Sequence, residues 1–260
     1  MARRVQLVYG LIVVAYVIVP MLLAIPLSLT ASEFMTFPPR GTSGRWYQEF
    51  FTDPAWTRPA SFSLVLAATS ATVATAVGGL AAWPLARRSF RGRNLIAAAL
   101  GAPLVVPAIS VAVGSYLVWA SLRLLGSPIA LVATHVALTA PFVLLVVGAA
   151  LAEFDETHIS AARTLGAGPF AVARRVVLPQ VLPSIVAAWL FAFIASLDEV
   201  VITEFLLTPG QVQTLAVYIF SQVRSSISPA IAVSSVVLAA LAVGAAIVLT
   251  RLDALRQHGD

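Results

Sequence analysis

The sequence predicts an all-α integral membrane protein, and three observations lead to that prediction. Of the 260 residues, 60% are hydrophobic and 10% are charged, whereas soluble domains usually carry about 25% charged residues. Mean hydropathy is +0.95. The chain also contains six apolar runs that are each long enough to cross a bilayer, which takes roughly 20 residues per helix. Because backbone polar groups in lipid must be satisfied within the segment, we expect these runs to be transmembrane helices.

Residues 1–260 are predicted to form a single transmembrane domain. Its six helices are expected at residues 5–29, 61–86, 95–122, 128–152, 184–207 and 229–250. The first run follows Arg3 and Arg4 in the manner of a secretion signal. It is longer than the roughly 7–15 apolar residues of such a signal, so we expect an uncleaved helix. Two other regions stand out, an outer loop at 30–60 and a polar segment at 153–183 between the fourth and fifth helices.

The distribution of arginine predicts the orientation of the chain. Every basic residue is Arg, and with the N-terminus inside, the inner regions hold eleven of them against five in the outer regions. The positive-inside rule therefore places both termini and the polar segment in the cytoplasm. A basic balance can indicate nucleic-acid binding in a soluble protein, but here the arginines lie mostly in short loops between apolar runs. We expect no nucleic-acid partner.

The second predicted helix carries a stripe of small residues. Ala67, Ala71, Thr75 and Gly79 recur every four residues, and such stripes let helices approach closely within lipid. A seam against a helix of a second subunit and packing within this chain are both compatible with the pattern.

The outer loop at 30–60 is rich in aromatic residues and proline. Trp46, Tyr47 and Trp56 are expected at the level of the lipid headgroups, where amphipathic rings concentrate. The stretch "RWYQEFF" is a candidate short interfacial helix. Anchoring to the membrane surface and contact with an external partner both stay open for this loop.

Several kinds of catalytic site are excluded by composition. A Walker A loop needs a lysine, and the chain has none; with no cysteine it has neither disulfides nor zinc–thiolate sites. "GTSG", residues 41–44, matches a motif of intramembrane serine proteases, but Ser43 lies in the outer loop without a base nearby in the sequence. His135 is expected to be a packed, hydrogen-bonded residue. We predict no catalytic residue, no metal site and no cofactor in this chain.

The fifth predicted helix contains an acid pair, Asp198 and Glu199, beyond its midpoint. A charged side chain at the bilayer centre costs about 2.5–3.5 kcal/mol on insertion scales, so exposure of these acids to lipid is unfavourable. The pair is interpreted as lining a water-filled path for a cationic solute. Structural pairing with an arginine or with backbone N–H groups, and a proton relay, are the alternatives. Glu204 is expected to emerge at the outer interface.

The polar segment at 153–183 is predicted to form two short helices joined by a turn. Acidic residues begin the first helix, where the helix dipole favours negative charge, and Gly166 can end it in the left-handed conformation. Pro169 suits the first position of the second helix. Leu178-Pro179 and Pro183 are expected to stop that helix before the fifth transmembrane helix begins. Helix connections usually take about 2–8 residues, so this longer segment is interpreted as a docking element.

The polar segment resembles the cytoplasmic coupling loop of ABC importer permeases. The family pattern is Glu-Ala-Ala, three residues, Gly, nine residues, Ile-x-Leu-Pro. At the same spacing this sequence has Ser160-Ala161-Ala162, then Gly166, then Val176-Val177-Leu178-Pro179. Two positions depart from the pattern, Val176 for Ile and Ser160 for Glu. Glu156, four residues upstream of Ser160, is the candidate for the missing carboxylate.

This resemblance implies a type I ABC importer permease-like fold and a set of partners. They are a second permease subunit (a different chain or a copy of this one), two cytoplasmic ATPases that bind ATP and Mg²⁺, and an external binding protein. It also implies a non-catalytic subunit in the inner membrane of a bacterium. "RWYQEFFTDPAW", "ASLDEVVITEFL" and "QTLAVYIFSQVRSSISPAIAVSS" look like segments of polyamine permeases, so the implied cargo is spermidine or putrescine.

Other cargoes carried by related permeases are opines, amino-acid-like compounds, phosphonates and ferric iron. Two functions of a different class are weighed against an ABC importer subunit. They are a secondary transporter driven by protons or sodium and an intramembrane serine protease.

Overall fold

The computed structural model describes the backbone of residues 2–225 and 227–257. The helices are α1 (Ala2–Ser28), α2 (Arg45–Thr52), α3 (Pro54–Arg87), α4 (Arg93–Gly101), α5 (Ala108–Ser121), α6 (Pro128–Glu153), α7 (Glu156–Thr164), α8 (Pro169–Val172), α9 (Leu178–Leu197), α10 (Val201–Leu206), α11 (Leu215–Ser225) and α12 (Ala230–Gln257). A 3₁₀ turn covers Ala102–Leu104 and a π-helical turn covers Ala173–Val177. Within these described ranges there is no β-strand beyond an isolated bridge between Thr30 and Thr42. The all-α prediction is confirmed.

Four helical stretches of the described chain are long and apolar enough to cross a membrane. They are Pro54–Arg87, Pro128–Glu153, Pro169–Leu197 and Ala230–Ile247. A fifth crossing is formed if Arg93–Leu104 and Ala108–Ser121, which meet at a bend of 103°, are one span. The first predicted span coincides with α1, many of whose side chains lie outside the described residues. The count of six spans therefore stays a prediction.

The third predicted span is broken, as the prolines at 103 and 107 inside its apolar run predict. Residues 95–122 contain α4, the 3₁₀ turn and α5, with Pro107 preceding the first residue of α5. Pro107 lacks an N–H and disfavours a helical conformation in the residue before it. The chain consequently breaks and changes direction inside this apolar run.

One of two compact units contains Met1–Ser61 and Tyr218–Gly244. Its "RWYQEFF" stretch is helical, as predicted, and forms α2. The indole of Trp46 donates a hydrogen bond to the carbonyl of Thr30 at 3.0 Å. Trp56 packs against Phe50 and Tyr218, with ring centroids 5.7 and 4.9 Å away. Both tryptophans are buried, so they fill this unit rather than face lipid headgroups as expected.

The second compact unit contains Phe62–Val217 and Ala245–Asp260. Within it α6 packs along α9, and α5 packs along α10. Helix α3 approaches α6 closely at Gly78, where an added Cβ would lie 2.8 Å from the carbonyl oxygen of Ala140. This glycine is required by packing rather than by backbone conformation, because only its single hydrogen fits between the two helices.

The small-residue stripe of α3 has two different environments. Ala67 and Ala71 are fully buried within the chain, which agrees with internal packing. Gly79 has no atom within 4 Å of a Cβ position. It lines an apolar groove of about 790 Å³ that is bounded by α3, α6 and α9, with Trp83 and Trp189 among its walls. Gly78, which contacts α6 closely, is one residue away from the predicted stripe.

The fifth span begins and ends at different residues from those predicted. The helix continues from Pro169 to Leu197 through both Pro179 and Pro183, so the expected stop at these prolines is wrong. The π turn just before Pro179, in which the N–H of Leu178 bonds the carbonyl of Ala173, explains the continuity. Local π adjustments can re-satisfy the backbone groups that a proline frees in a transmembrane helix.

This helix then breaks where the sequence predicted continuity. α9 ends at Leu197, and α10 begins at Val201. The predicted helix at 184–207 is therefore interrupted at residues 198–200, which include the acid pair.

Candidate functional site

The first helix of the polar segment is capped at its N-terminus by Asp155. Its Oδ1 accepts a hydrogen bond from the backbone N–H of Thr157 at 2.9 Å, which satisfies one of the free donors of the first turn. Hydrogen bonds from Thr157 lower the pKa of the Asp155 carboxyl, since they stabilise its ionised form. The acidic start of this helix was predicted, and the structure identifies Asp155 as the capping residue.

The same helix ends at Gly166 as predicted. Gly166 has a φ of +83°, and its N–H bonds the carbonyl of Arg163 at 2.9 Å. The N–H of Ala167 bonds the carbonyl of Ala162 at 3.0 Å. These two bonds form a Schellman motif. The end of α7 is consequently defined by backbone geometry that favours glycine.

The residues that match the family pattern lie mainly on the surface. Ser160, Ala161, Gly166, Leu178 and Pro179 are exposed, and Ala162 is partly buried. No residue of α7 is buried. The segment is thus a surface helix and turn that is free to contact a partner.

Two large apolar side chains of the polar segment were missed by the sequence analysis. Leu165 is 88% exposed and Phe170 is 76% exposed, on either side of the Gly166 turn. The only indication of these two residues in the sequence is that they are apolar within a polar stretch. Exposed apolar residues at a turn favour a protein contact.

Arg87, at the last residue of α3, joins that helix to the polar segment. Its Nη1 donates to Glu156 Oε1 at 3.0 Å, and its Nη2 donates to the carbonyl oxygen of Phe154 at 2.8 Å. The guanidinium carbon also lies 5.2 Å from the centroid of the Phe154 ring. Glu156, the candidate for the missing family carboxylate, therefore has a partner within the chain. No local pattern predicts this contact, because its two partners lie 67 and 69 residues from Arg87 in the sequence.

The two acids of the fifth span have different surroundings. Glu199 accepts hydrogen bonds from the N–H groups of Ile202 and Thr203, both at 2.8 Å, through its two carboxylate oxygens. The hydroxyl of Thr203 also donates to Glu199 at 2.8 Å. Glu199 therefore satisfies free backbone donors at the start of α10, which is the backbone pairing weighed in the sequence analysis.

Asp198 is exposed and lies at the C-terminal cap of α9. Its backbone N–H bonds the carbonyl of Ile194 at 3.1 Å. Its carboxylate makes no hydrogen bond or salt bridge with any residue that the structure describes. Asp198 is thus the member of the acid pair that is available to a ligand, and the path-lining role of both acids stays a prediction.

His135 of α6 holds the two sides of the helix break together. Its Nδ1 is 2.7 Å from Ser196 Oγ, and its Nε2 is 3.0 Å from Thr203 Oγ1. The single hydroxyl proton of Thr203 is directed to the Glu199 carboxylate, so Thr203 accepts from Nε2–H. In the neutral ring Nδ1 then accepts from Ser196. His135 is fully buried, and its prediction as a packed, hydrogen-bonded residue is confirmed.

The surroundings of Ser43 are not those of a catalytic nucleophile. Its Oγ accepts a hydrogen bond from the backbone N–H of Arg45 at 3.2 Å. Both ring nitrogens of His135 are occupied by Ser196 and Thr203.

No group of three or more metal-ligating side chains occurs within the described part of the chain. His158 is exposed, whereas His258 lies outside the described residues.

The chain belongs to the family of binding-protein-dependent transport system inner membrane components, whose model matches residues 74–257. It is 35% identical over 232 residues to the putrescine transport system permease protein PotI of Escherichia coli K12, covering 86% of this chain and 82% of PotI. It is 31% identical over 215 residues to the spermidine/putrescine permease PotC of the same strain, covering 83% of this chain and 81% of PotC. PotC of Haemophilus influenzae is 30% identical over 241 residues, which cover 93% of this chain and 93% of that PotC.

Solved structures share the fold. A bacterial ABC transporter that imports the acidic polysaccharide alginate matches with a TM-score of 0.68 at 14% identity, covering 95% of this chain and 93% of that chain. The same type of transporter in complex with an alginate-bound periplasmic protein matches with a TM-score of 0.68 at 16% identity, covering 98% and 96%. The predicted ABC importer permease-like fold is confirmed.

Proposed function

We propose that this chain is the membrane-spanning subunit of an ATP-driven importer for a polyamine such as putrescine or spermidine. The observation that supports this most directly is its identity of 30–35% over most of its length to permeases of that transport class. The chain would supply half of a translocation path. Its own residues would catalyse no reaction, and ATP and Mg²⁺ would be bound by partner ATPases.

The polar segment supports the proposed contact with a cytoplasmic ATPase. It presents an exposed helix, α7, that is capped at both ends, followed by the exposed side chains of Leu165 and Phe170. Because caps fix where a helix starts and stops, this surface has a defined shape before the partner binds. The second permease, an external binding protein and the surrounding lipid complete the proposed assembly.

A cationic cargo is supported by the exposed carboxylate of Asp198. It lies at a break in a membrane-spanning helix, and broken helices are a frequent location of substrate sites in transporters. An intramembrane carboxylate without a partner is costly unless water or a cation reaches it. We infer that Asp198 meets the cargo, while Glu199 maintains the geometry of the break.

The test is uptake by the reconstituted complex. The tagged chain would be expressed with a binding protein, an ATPase and a second permease of the proposed system, and the complex would be purified in gentle detergent. Vesicles containing the complex are expected to accumulate labelled putrescine or spermidine only with ATP. A matched complex with a hydrolysis-deficient ATPase is the control.

Two results would contradict the proposal. Uptake that needs a proton or sodium gradient and no ATPase would indicate a secondary transporter. Uptake of an opine, an amino-acid-like compound, a phosphonate or ferric iron, with no competition by polyamines, would retain the importer and overturn the cargo.

A further inference from the structure

Arg87 has a set of contacts that the proposed transport function does not by itself explain. Its side chain is only 11% exposed, yet it lies next to a helix that has no buried residue. A buried guanidinium is costly unless its charge is paired and its donors are used. Here the two terminal nitrogens donate to a carboxylate and a backbone carbonyl of the polar segment, and the group lies against an aromatic ring. Its Nε has no hydrogen-bond partner among the described residues.

We propose that Arg87 is a positioning residue that fixes the ATPase-docking helix α7 to the cytoplasmic end of α3. This proposal rests on the function proposed above. It assigns to α3 the role of receiving displacement from the docking helix, in addition to the helices that are joined to the polar segment by the chain itself.

Arg87 attaches the start of α7 to a span that is not its neighbour in the sequence. α7 is connected through the backbone to α6 on one side and to α8 on the other. Among the described residues, the side-chain hydrogen bonds that link the N-terminal part of the polar segment to a different span are those from Arg87. Without them, the start of α7 would lose its hydrogen bonds to α3 and keep only packing contacts, such as that between the rings of Phe154 and His158 at 6.0 Å.

The chemistry of the contact suits a mechanical link. A guanidinium is planar, and its donors form a rigid fork, so two simultaneous hydrogen bonds restrict rotation as well as distance. One bond goes to a backbone carbonyl, which moves with the main chain and not with a flexible side chain. The ring of Phe154, which is 8% exposed, closes one side of the contact. Displacement of α7 therefore acts on α3 through atoms that are already in contact.

α3 in turn contacts the fifth span. The indole of Trp189 in α9 donates a hydrogen bond to Thr72 Oγ1 of α3 at 3.1 Å. α9 ends at the break that contains Asp198. Arg87 thus connects the docking surface to a helix that contacts the candidate cargo path.

The neighbouring arginine provides a matched control. Arg88 follows directly in sequence and is exposed. Its side chain has no hydrogen bond or salt bridge to any residue in the described ranges. Removing its charge changes the cytoplasmic charge count as much as removing that of Arg87, but leaves the link intact.

The experiment compares Arg87→Gln, Arg87→Lys and Arg88→Gln in the full complex. ATP hydrolysis and labelled putrescine uptake are measured in the same vesicles, and copurification reports binding of the ATPase. For Arg87→Gln we expect uptake per ATP to fall by roughly tenfold, the scale of losing one charge-assisted hydrogen bond. Arg87→Lys should recover part of the uptake per ATP. An ammonium keeps the positive charge, but it cannot reproduce the two hydrogen bonds of the planar guanidinium. Arg88→Gln should behave like the parent.

A reciprocal exchange keeps the test decisive if single variants assemble poorly. Glu156→Gln in the Arg87→Gln background should cause little additional loss, because the pair acts as a unit. Arg87→Glu combined with Glu156→Arg should recover part of the uptake per ATP that Arg87→Glu alone loses.

Equal uptake per ATP in the parent and in Arg87→Gln, or additive losses in the double variant, would overturn the role of Arg87. Absence of ATP-dependent uptake in both the parent and Arg88→Gln would instead contradict the proposed function.

Discussion

Residues that are adjacent in the sequence can have different structural roles, as Asp198 and Glu199 do. Glu199 uses both carboxylate oxygens to accept backbone hydrogen bonds at the start of α10. Asp198 has no such bond, and its side chain is exposed. The difference arises because α9 ends at Leu197, so the two acids lie in a break instead of on one regular helix.

The acid pair leads to a prediction with an internal control. We expect Asp198→Asn to reduce polyamine uptake by about tenfold or more, since a hydrogen bond between charged groups contributes roughly 1.5–3 kcal/mol. Thermal stability of the purified complex should be unchanged. Glu199→Gln should instead lower the melting temperature, because the amide provides one acceptor oxygen where the carboxylate provides two. Uptake and thermal unfolding in detergent measure these effects. Equal uptake by the parent and Asp198→Asn would mean that this carboxylate does not contact the cargo.

The sequence predicts that His135 is hydrogen-bonded, but it does not predict which residues are its partners. A lone histidine in an apolar helix is most often satisfied by neighbours, and this was predicted. Its partners, Ser196 and Thr203, are 61 and 68 residues further along the chain. Identifying them required the packing of α6 against α9 and α10, which no local pattern contains.

At the level of helices, close approach is determined by individual positions. The stripe from Ala67 to Gly79 predicted a face of α3 that packs tightly, and Ala67 and Ala71 are buried. Of the two neighbouring glycines, Gly78 contacts α6 closely and Gly79 does not. A repeat of four residues drifts around a helix of 3.6 residues per turn, so it cannot fix which neighbour faces α6 several turns later.

Gly78 and Gly79 form a matched pair for testing this packing. Gly78→Ala is expected to destabilise the protein by about 1–3 kcal/mol, because its Cβ would overlap the carbonyl of Ala140 and the side chain of Val143. Gly79→Ala should be neutral or slightly stabilising, since its Cβ meets no atom and alanine favours helix. Thermal unfolding of the two variants in detergent distinguishes them. Similar destabilisation of both would mean that helix flexibility, and not the contact with α6, explains the requirement for glycine.

Helix boundaries in the fifth span were the least predictable element. Prolines at 179 and 183 predicted a stop, and an unbroken apolar run predicted continuity to residue 207. The structure reverses both features, with a helix through the prolines and a break at 198–200. The lipid environment explains the first, because a proline-containing helix that adjusts through a π turn costs less than exposed backbone. The capping carboxylate of Glu199 explains how the second is accommodated.

For the whole molecule, orientation is the property that the arginine count predicts. An excess of eleven arginines over five predicts that the polar segment is cytoplasmic and that the loop at 30–60 lies outside. Docking of an ATPase requires this orientation. The structure contains no membrane, so the arginine count alone supports it.

A labelling experiment tests the orientation directly. The chain has no cysteine, so Ser160→Cys and Ser43→Cys each introduce a single reactive thiol. A membrane-impermeant maleimide added to intact cells is expected to label Ser43→Cys, and Ser160→Cys only after permeabilisation. Ser43→Cys should retain uptake, because Ser43 lies outside the docking segment. Labelling of Ser160→Cys in intact cells would place the polar segment outside and contradict its role as an ATPase-docking surface.

The sequence by itself determined the fold class, the positions of most apolar helices and the polar segment with its Gly166 turn. These features depend on hydropathy, on local caps and on one glycine conformation, all of which are local in the chain. Only the tertiary structure decided the break at Asp198, the contact at Gly78 and the contacts of Arg87. Each of these depends on which groups meet from distant parts of the chain, and hydropathy does not record that.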